Sequence, residues 1–318
     1  MDVESPVQNG SSTQPETRVF GRSEVYGALQ TRFGHREFRP GQAEVLRSIL
    51  QGRPTIAVLP TGAGKSLCYQ LPAVLLGGTT LVVSPLIALM RDQVRALREK
   101  GVAAASLDSN QDFEDRRDAE GAFAAGQLDL LYVSPERLGT ERFRELLQGV
   151  RVPMVAIDEA HCVMRWGHDF RPAYLEILPF LRELRPQYLA GFTATATPEL
   201  REELGTALGM DQPEIFVRGF HRTNIDLQAM RAGTEAERRV TAVRLVRTRE
   251  GSAPALVYAA TRAATEEVAE ALRADGLRAL HYHGGCEPEH RSRAQEAFLR
   301  DEVDALVATN AFGMGIDK

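Results

Sequence analysis

Two short stretches of this 318-residue chain hold side chains whose types and spacing could do chemistry. "VLPTGAGKSLCYQ" (58–70) places Thr61, Gly62, Gly64, Lys65 and Ser66 in a glycine-rich turn between an apolar run and a helical one. Consecutive backbone N–H groups in such a turn, at a helix N-terminus, form an anion cradle, which suits a polyphosphate. Lys65 would then reach the outer phosphates, and the Ser66 hydroxyl would ligate Mg²⁺. "DEAHCVMRWGHDFRP" (158–172) begins with neighbouring carboxylates and runs into two histidines, two arginines, a tryptophan and a phenylalanine. Asp158 can hold a hydrated Mg²⁺ while Glu159 orients or deprotonates an attacking water. Aromatic and guanidinium faces together suit stacked bases and their phosphates.

The rarity of lysine sharpens the first assignment. Lys occurs only at 65, 100 and 318, and every other basic residue is arginine. A lysine kept against that bias marks a position that needs a compact ammonium. The phosphate loop departs from G-x-x-x-x-G-K-[ST] at its first position, Leu59, and keeps the shorter T-G-x-G-K-S form.

These groups need a scaffold, and the apolar runs supply one. Strand-like segments at 55–59, 80–84, 128–133, 152–157 and 187–192 alternate with helix-like segments such as 64–76, 86–100 and 112–125. That alternation predicts a parallel sheet covered on both faces, with ligands at the carboxyl ends of its strands. The pattern weakens across 211–250 and restarts with strands at 255–260, 278–283 and 305–309 and helices at 262–274 and 287–300. A second α/β unit therefore begins near residue 220, and its three strands are fewer than such a sheet usually has. Hydrophobic content of 43% and charged content of 25% are those of a globular protein. No run is long and apolar enough for a membrane span. Residues 1–22 read as a disordered polar tail. A net charge of −5 leaves no global basic field, so any nucleic-acid contact must be a local groove. The three cysteines, Cys68, Cys162 and Cys286, form no C-x-x-C pair. That argues against a disulfide framework and against zinc, and fits the cytoplasm.

Taken together, these motifs resemble the RecQ family of superfamily 2 DNA helicases, from about residue 25 to the last residue. "LQTRFGHREFRPGQ" (29–42) matches the family's adenine-recognition motif; by that resemblance Gln42 reads the adenine edge, Arg39 lies over the base and His35 stacks where Tyr is usual. "VVSPLIALMRDQV" (82–94) and "LLYVSPERL" (130–138) match motifs that grip one DNA strand. "DEAHC…WGHDFRP" matches the Walker B motif and the family's aromatic-rich loop, in which Trp166, His168, Phe170 and Arg171 would meet DNA, with His161 coupling the loop to the acids. "FTATATP" (192–198) resembles motif III, whose Thr193 and Thr195 link nucleotide state to lobe closure; "LVYAATR" (256–262) and "ATNAFGMGIDK" (308–318) resemble motifs IV and V. The resemblance implies tandem RecA-like P-loop NTPase lobes, the first over 23–218 and a partial second over 219–318. It also implies ATP and Mg²⁺ as ligands, 3′→5′ movement on single-stranded and forked DNA, a role in recombination or repair, and a nucleoid location.

The departures matter as well. Ser-Gln is usual where this chain has Met164-Arg165, Ala63 replaces a common glycine, and Cys286 stands where an apolar residue is usual. Motif VI, the zinc-binding and winged-helix region and the HRDC domain have no counterpart here, so the sequence reads as incomplete relative to the family. Contact with a single-strand-binding protein would fall to those missing regions. Two other readings follow: a nucleotide-gated strand-binding module with little turnover, and an RNA helicase, against which the aromatic loop argues. A simple kinase is excluded by the lack of an acceptor pocket.

Overall fold

The computed structural model describes residues 18–108, 111–164, 172–218, 225–249, 251 and 253–312. The chain divides into two compact units, Met1–Arg222 and Thr223–Lys318. Among the described residues no helix is long and apolar enough to cross a membrane.

The first unit opens with two helices, α1 (Arg22–Phe33) and α2 (Gln42–Leu50), and then alternates strand and helix. In chain order follow β1 (Thr55–Val58), α3 (Leu67–Leu76), β2 (Thr80–Val83), α4 (Ile87–Glu99), β3 (Ala104–Leu107), α5 (Phe113–Ala124), β4 (Leu130–Val133), α6 (Pro135–Leu138) and α7 (Glu141–Leu147). The unit closes with β5 (Met154–Ile157), α8 (Ile177–Leu184), β6 (Tyr188–Thr193), α9 (Pro198–Ala207) and β7 (Glu214–Val217). The strands form one parallel sheet in the order β3-β4-β2-β5-β6-β1-β7.

Period-two alternation explains why that sheet is buried on both sides. Ala57, Val82, Tyr132, Ala156, Ala190 and Phe192 join the core under α1 to α4. Their neighbours Ile56, Val58, Val83, Val133, Val155 and Ile157 join the core on the opposite face. Each fully buried Val, Leu or Ile contributes roughly 1.5–3 kcal/mol, and β1, β2, β4 and β5 are buried at every position. Two strands escape the simple apolar reading. β3 is "AASL", too poor in bulky residues to stand out, and is held between α4, α5 and β4. β7 is "EIFV", which among the described residues is an edge strand paired with β1 alone. The expected helix 64–76 begins at Leu67 instead, because Gly64 has φ 79° and cannot continue into a helix.

The second unit holds α10 (Glu235–Thr248), β8 (Ala255–Tyr258), α11 (Arg262–Ala274), β9 (Ala279–Tyr282), α12 (Pro288–Leu299) and β10 (Ala305–Ala308). Thr234 and Glu237 form a reciprocal capping box that starts α10, and the Thr261 hydroxyl caps α11. The three described strands are parallel in the order β8-β10-β9. Val307 and Ala305 pack beneath α10 and α11, while Leu306 and Ala308 pack beneath α12.

Candidate nucleotide site

The phosphate loop is built from β1 outward. Leu59 extends that strand by donating its N–H to Thr193 O, 3.0 Å away, and is fully buried. This explains the departure at its position, since a glycine there would leave a hole in the core. Gly62 (φ 82°) and Gly64 (φ 79°) then turn the chain through the left-handed region. Lys65 folds back, its Nζ donating to Leu59 O at 3.2 Å. Ser66 is half-buried just before α3, and Thr61 lies exposed on the turn.

Arg39 and Gln42 clamp this loop from the start of α2. The Arg39 guanidinium donates to Gly62 O. The Gln42 amide donates to Ala63 O at 3.2 Å and Gly64 O at 2.9 Å, while its Oε1 accepts the Arg39 N–H at 2.8 Å. Gln42 is thus a buried brace between the expected base-reading segment and the phosphate loop. His35 is exposed on the turn after α1. The fit is tight: a Cβ on Gly64 would stand 2.4 Å from Gln42 Nε2. Gly64→Ala is therefore expected to cost ~1–3 kcal/mol of stability through backbone strain and the lost brace. It should also weaken ATP binding at least tenfold. Thermal melts and nucleotide titration check this, and unchanged values in both would refute the clamp.

The acid pair lies two strands from the loop in the sheet, with β6 between. Asp158 continues β5, its N–H donating to Val83 O at 2.8 Å. Burial, then the neighbouring Glu159 charge, push its carboxyl up to about 7; the Glu159 N–H and the charge of Lys65 pull the other way. Glu159 sits at φ 46°, an unusual conformation for a non-glycine residue, and a 3₁₀ turn, Ala160–Val163, follows. A side-chain relay then crosses to β6. Glu159 Oε2 lies 3.4 Å from His161 Nδ1, which lies 2.8 Å from Thr193 Oγ1. The Thr193 hydroxyl donates to Thr195 O at 3.0 Å and accepts the Thr195 N–H at 3.2 Å. Its one proton is spent on that carbonyl, so His161 must be the donor, which fixes the Nδ1–H tautomer.

Three residues around the acids escaped sequence reasoning. Tyr174 donates its hydroxyl to Asp158 O at 3.2 Å. Tyr69 and Tyr132 are buried against each other and close enough to Asp158 to feel its charge. Tyr69 stands four residues after Lys65, one helical turn on, which was the available signal. Ser84 and Ser134 directly follow β2 and β4 at the same edge, within the expected strand-gripping segments. Trp166, His168, Phe170 and Arg171, with Met164's neighbour Arg165, lie outside the described residues, as do 313–318 of the expected motif V.

A glycine-rich loop after β1, an acid pair after β5 and a threonine-containing turn after β6, all at the carboxyl edge of one parallel sheet, define a RecA-like P-loop nucleotide-binding unit. Residues 39–203 match the DEAD/DEAH box helicase family, and residues 237–318 match the helicase conserved C-terminal domain. The chain belongs to the DEAD/DEAH box helicase family. The ATP-dependent DNA helicase RecQ of Bacillus subtilis is 42% identical over 288 residues, covering 90% of this chain and 48% of that protein. RecQ of Pasteurella multocida is 41% identical, covering 91% and 45%. The resemblance to RecQ read from the motifs is thus borne out, and the chain spans about half the length of these relatives. Mycobacterium smegmatis helicase Lhr, solved bound to ssDNA and AMP-PNP, shares the fold with a TM-score of 0.65 at 24% identity, covering 92% of this chain and 42% of that one. The DUF1998 helicase MrfA, solved with DNA and AMPPNP, does so at 0.70 and 20%, covering 95% and 46%.

Proposed function

We propose that this chain forms the ATP-hydrolysing part of a RecQ-type DNA helicase that moves 3′→5′ on single-stranded DNA and opens forked duplexes in recombination or repair at the nucleoid. The observation that carries the reading is a buried Asp158 carboxylate near Lys65, joined through Glu159, His161 and Thr193 to the neighbouring strand. In this reading Lys65 and the loop N–H groups hold the triphosphate, while Arg39 and His35 bind the adenine end and Gln42 reads the adenine edge by exchanging one of its loop bonds for the base. The donor set of Asp158 and Ser66, one carboxylate and one hydroxyl oxygen, fits Mg²⁺, which would supply neutralisation of phosphate charge. Glu159 takes the proton of the attacking water. His161 and Thr193 carry the state of that carboxylate toward Thr195. Trp166, His168, Phe170 and Arg171 contact the strand.

The test is ATP hydrolysis by the 318-residue chain with and without single-stranded DNA, beside Lys65→Ala. The expected result is DNA-stimulated turnover that the substitution lowers at least a hundredfold. Nucleotide and DNA binding without turnover would replace the helicase reading with a nucleotide-gated strand-binding module. Stimulation by RNA in preference to DNA would redirect it to an RNA helicase.

A further inference from the structure

A second cluster of chemistry-bearing side chains lies wholly within the second unit, around the end of β9 and the start of α12. One donor atom from each of His281, Cys286 and His290 lies within 4.8 Å of the other two. His281 Nδ1 is buried and, among the described residues, has no hydrogen-bond partner. His290 Nε2 lies 2.9 Å from His281 O and must donate to that carbonyl, which leaves His290 Nδ1 with its lone pair. Metal-binding histidines commonly spend their second nitrogen on a backbone carbonyl in this way. The two imidazoles lie side by side, tilted 31° to one another, with ring centroids 4.6 Å apart. Cys286 Sγ sits 3.4 Å from His283 Nδ1, and His283 Nε2 is 2.9 Å from the Glu266 carboxylate.

We propose that His281, Cys286 and His290 form a zinc site, with a water completing its coordination. Two imidazoles and a thiolate are the donor mixture that selects zinc over magnesium or calcium. In tetrahedral zinc, N and S donors stand about 3.3–3.6 Å apart, so the cluster closes on the ion by small side-chain rotations. The His283–Glu266 pair flanks Cys286 and places a carboxylate beside the cationic centre. Cys286 loses its thiol proton to solvent on binding. The spacing H-x₄-C-x₃-H has no paired cysteines, which is why a search for C-x-x-C passes over it. The ion ties β9 to the first turn of α12.

The test uses the whole chain, reduced and stripped of metal with a chelator, in excess Mg²⁺. Zn²⁺ is titrated against a chromophoric competitor, and Co²⁺ uptake is followed by absorption. One equivalent of Zn²⁺ and a near-ultraviolet thiolate-to-Co²⁺ band are expected. Cys286→Ser should abolish the band. Cys286→Ser and His290→Val should each weaken Zn²⁺ binding by at least ~10-fold, with circular dichroism unchanged. Absence of the band in the unsubstituted chain overturns the site whatever the variants do. So does Zn²⁺ affinity that neither substitution moves.

Discussion

Glu159→Gln is expected to lower ATP turnover ~10²–10⁴-fold, the range for loss of a general base. Nucleotide affinity should stay within about threefold, because the change removes basicity while keeping size and shape. Two features make it a clean probe. Glu159 is held at φ 46° by its chain context, with its N–H on Asp158 Oδ1 at 3.0 Å and its carbonyl accepting from Cys162 N–H at 2.9 Å. Neither bond involves the side-chain carboxylate, so the turn survives the substitution. The His161 Nδ1–H also keeps its partner, Thr193 Oγ1. Single-turnover hydrolysis beside equilibrium binding of a fluorescent ATP analogue separates chemistry from affinity. A fall of less than tenfold in the chemical step would remove Glu159 from the role of base. An equal fall in affinity would instead make it a binding residue.

How much of this was legible before the fold was known differs by element. β1, β2, β4, β5 and β6 announce themselves as apolar runs because both sheet faces are covered and nearly every side chain must be buried. β3 does not, since "AASL" meets the same packing with small residues whose burial depends on α4 and α5. The loop and acid residues were readable because local spacing alone dictates them: a turn needs Gly62 and Gly64, and a strand end presents Asp158. Gln42 was readable as a residue of the nucleotide site, but its bonds to Ala63 and Gly64 were not, because they join positions more than twenty apart in the chain. Tyr174 and the tautomer of His161 follow only from packing. The His281–Cys286–His290 cluster was visible as an oddity at one position, Cys286. Its convergence depends on a strand end and a helix start meeting in space.

Asp158→Asn is expected to stabilise the metal-free chain at pH 8 while abolishing hydrolysis. Burial and Glu159 raise the native carboxyl to about 7, above its value in the unfolded chain. The native state therefore keeps a proton that the unfolded state has already lost, and stability falls as pH rises from about 4 to about 7. Above that, the full cost of an ionised buried carboxylate is present. The size of the rise caps the effect at about 4 kcal/mol, and relaxation around the site should leave ~1–3 kcal/mol. For a chain of this length that is a gain of several degrees in melting temperature. At pH 4.5 the native state of each protein is neutral at this position, and most of the difference should vanish. Mg²⁺ with nucleotide should reverse the order at pH 8, because ligand binding to the native state stabilises only the protein that can hold it. Equal melting at both pH values would mean that Asp158 is already compensated by Lys65 alone. In that case the carboxylate has no unmet charge to offer a metal ion.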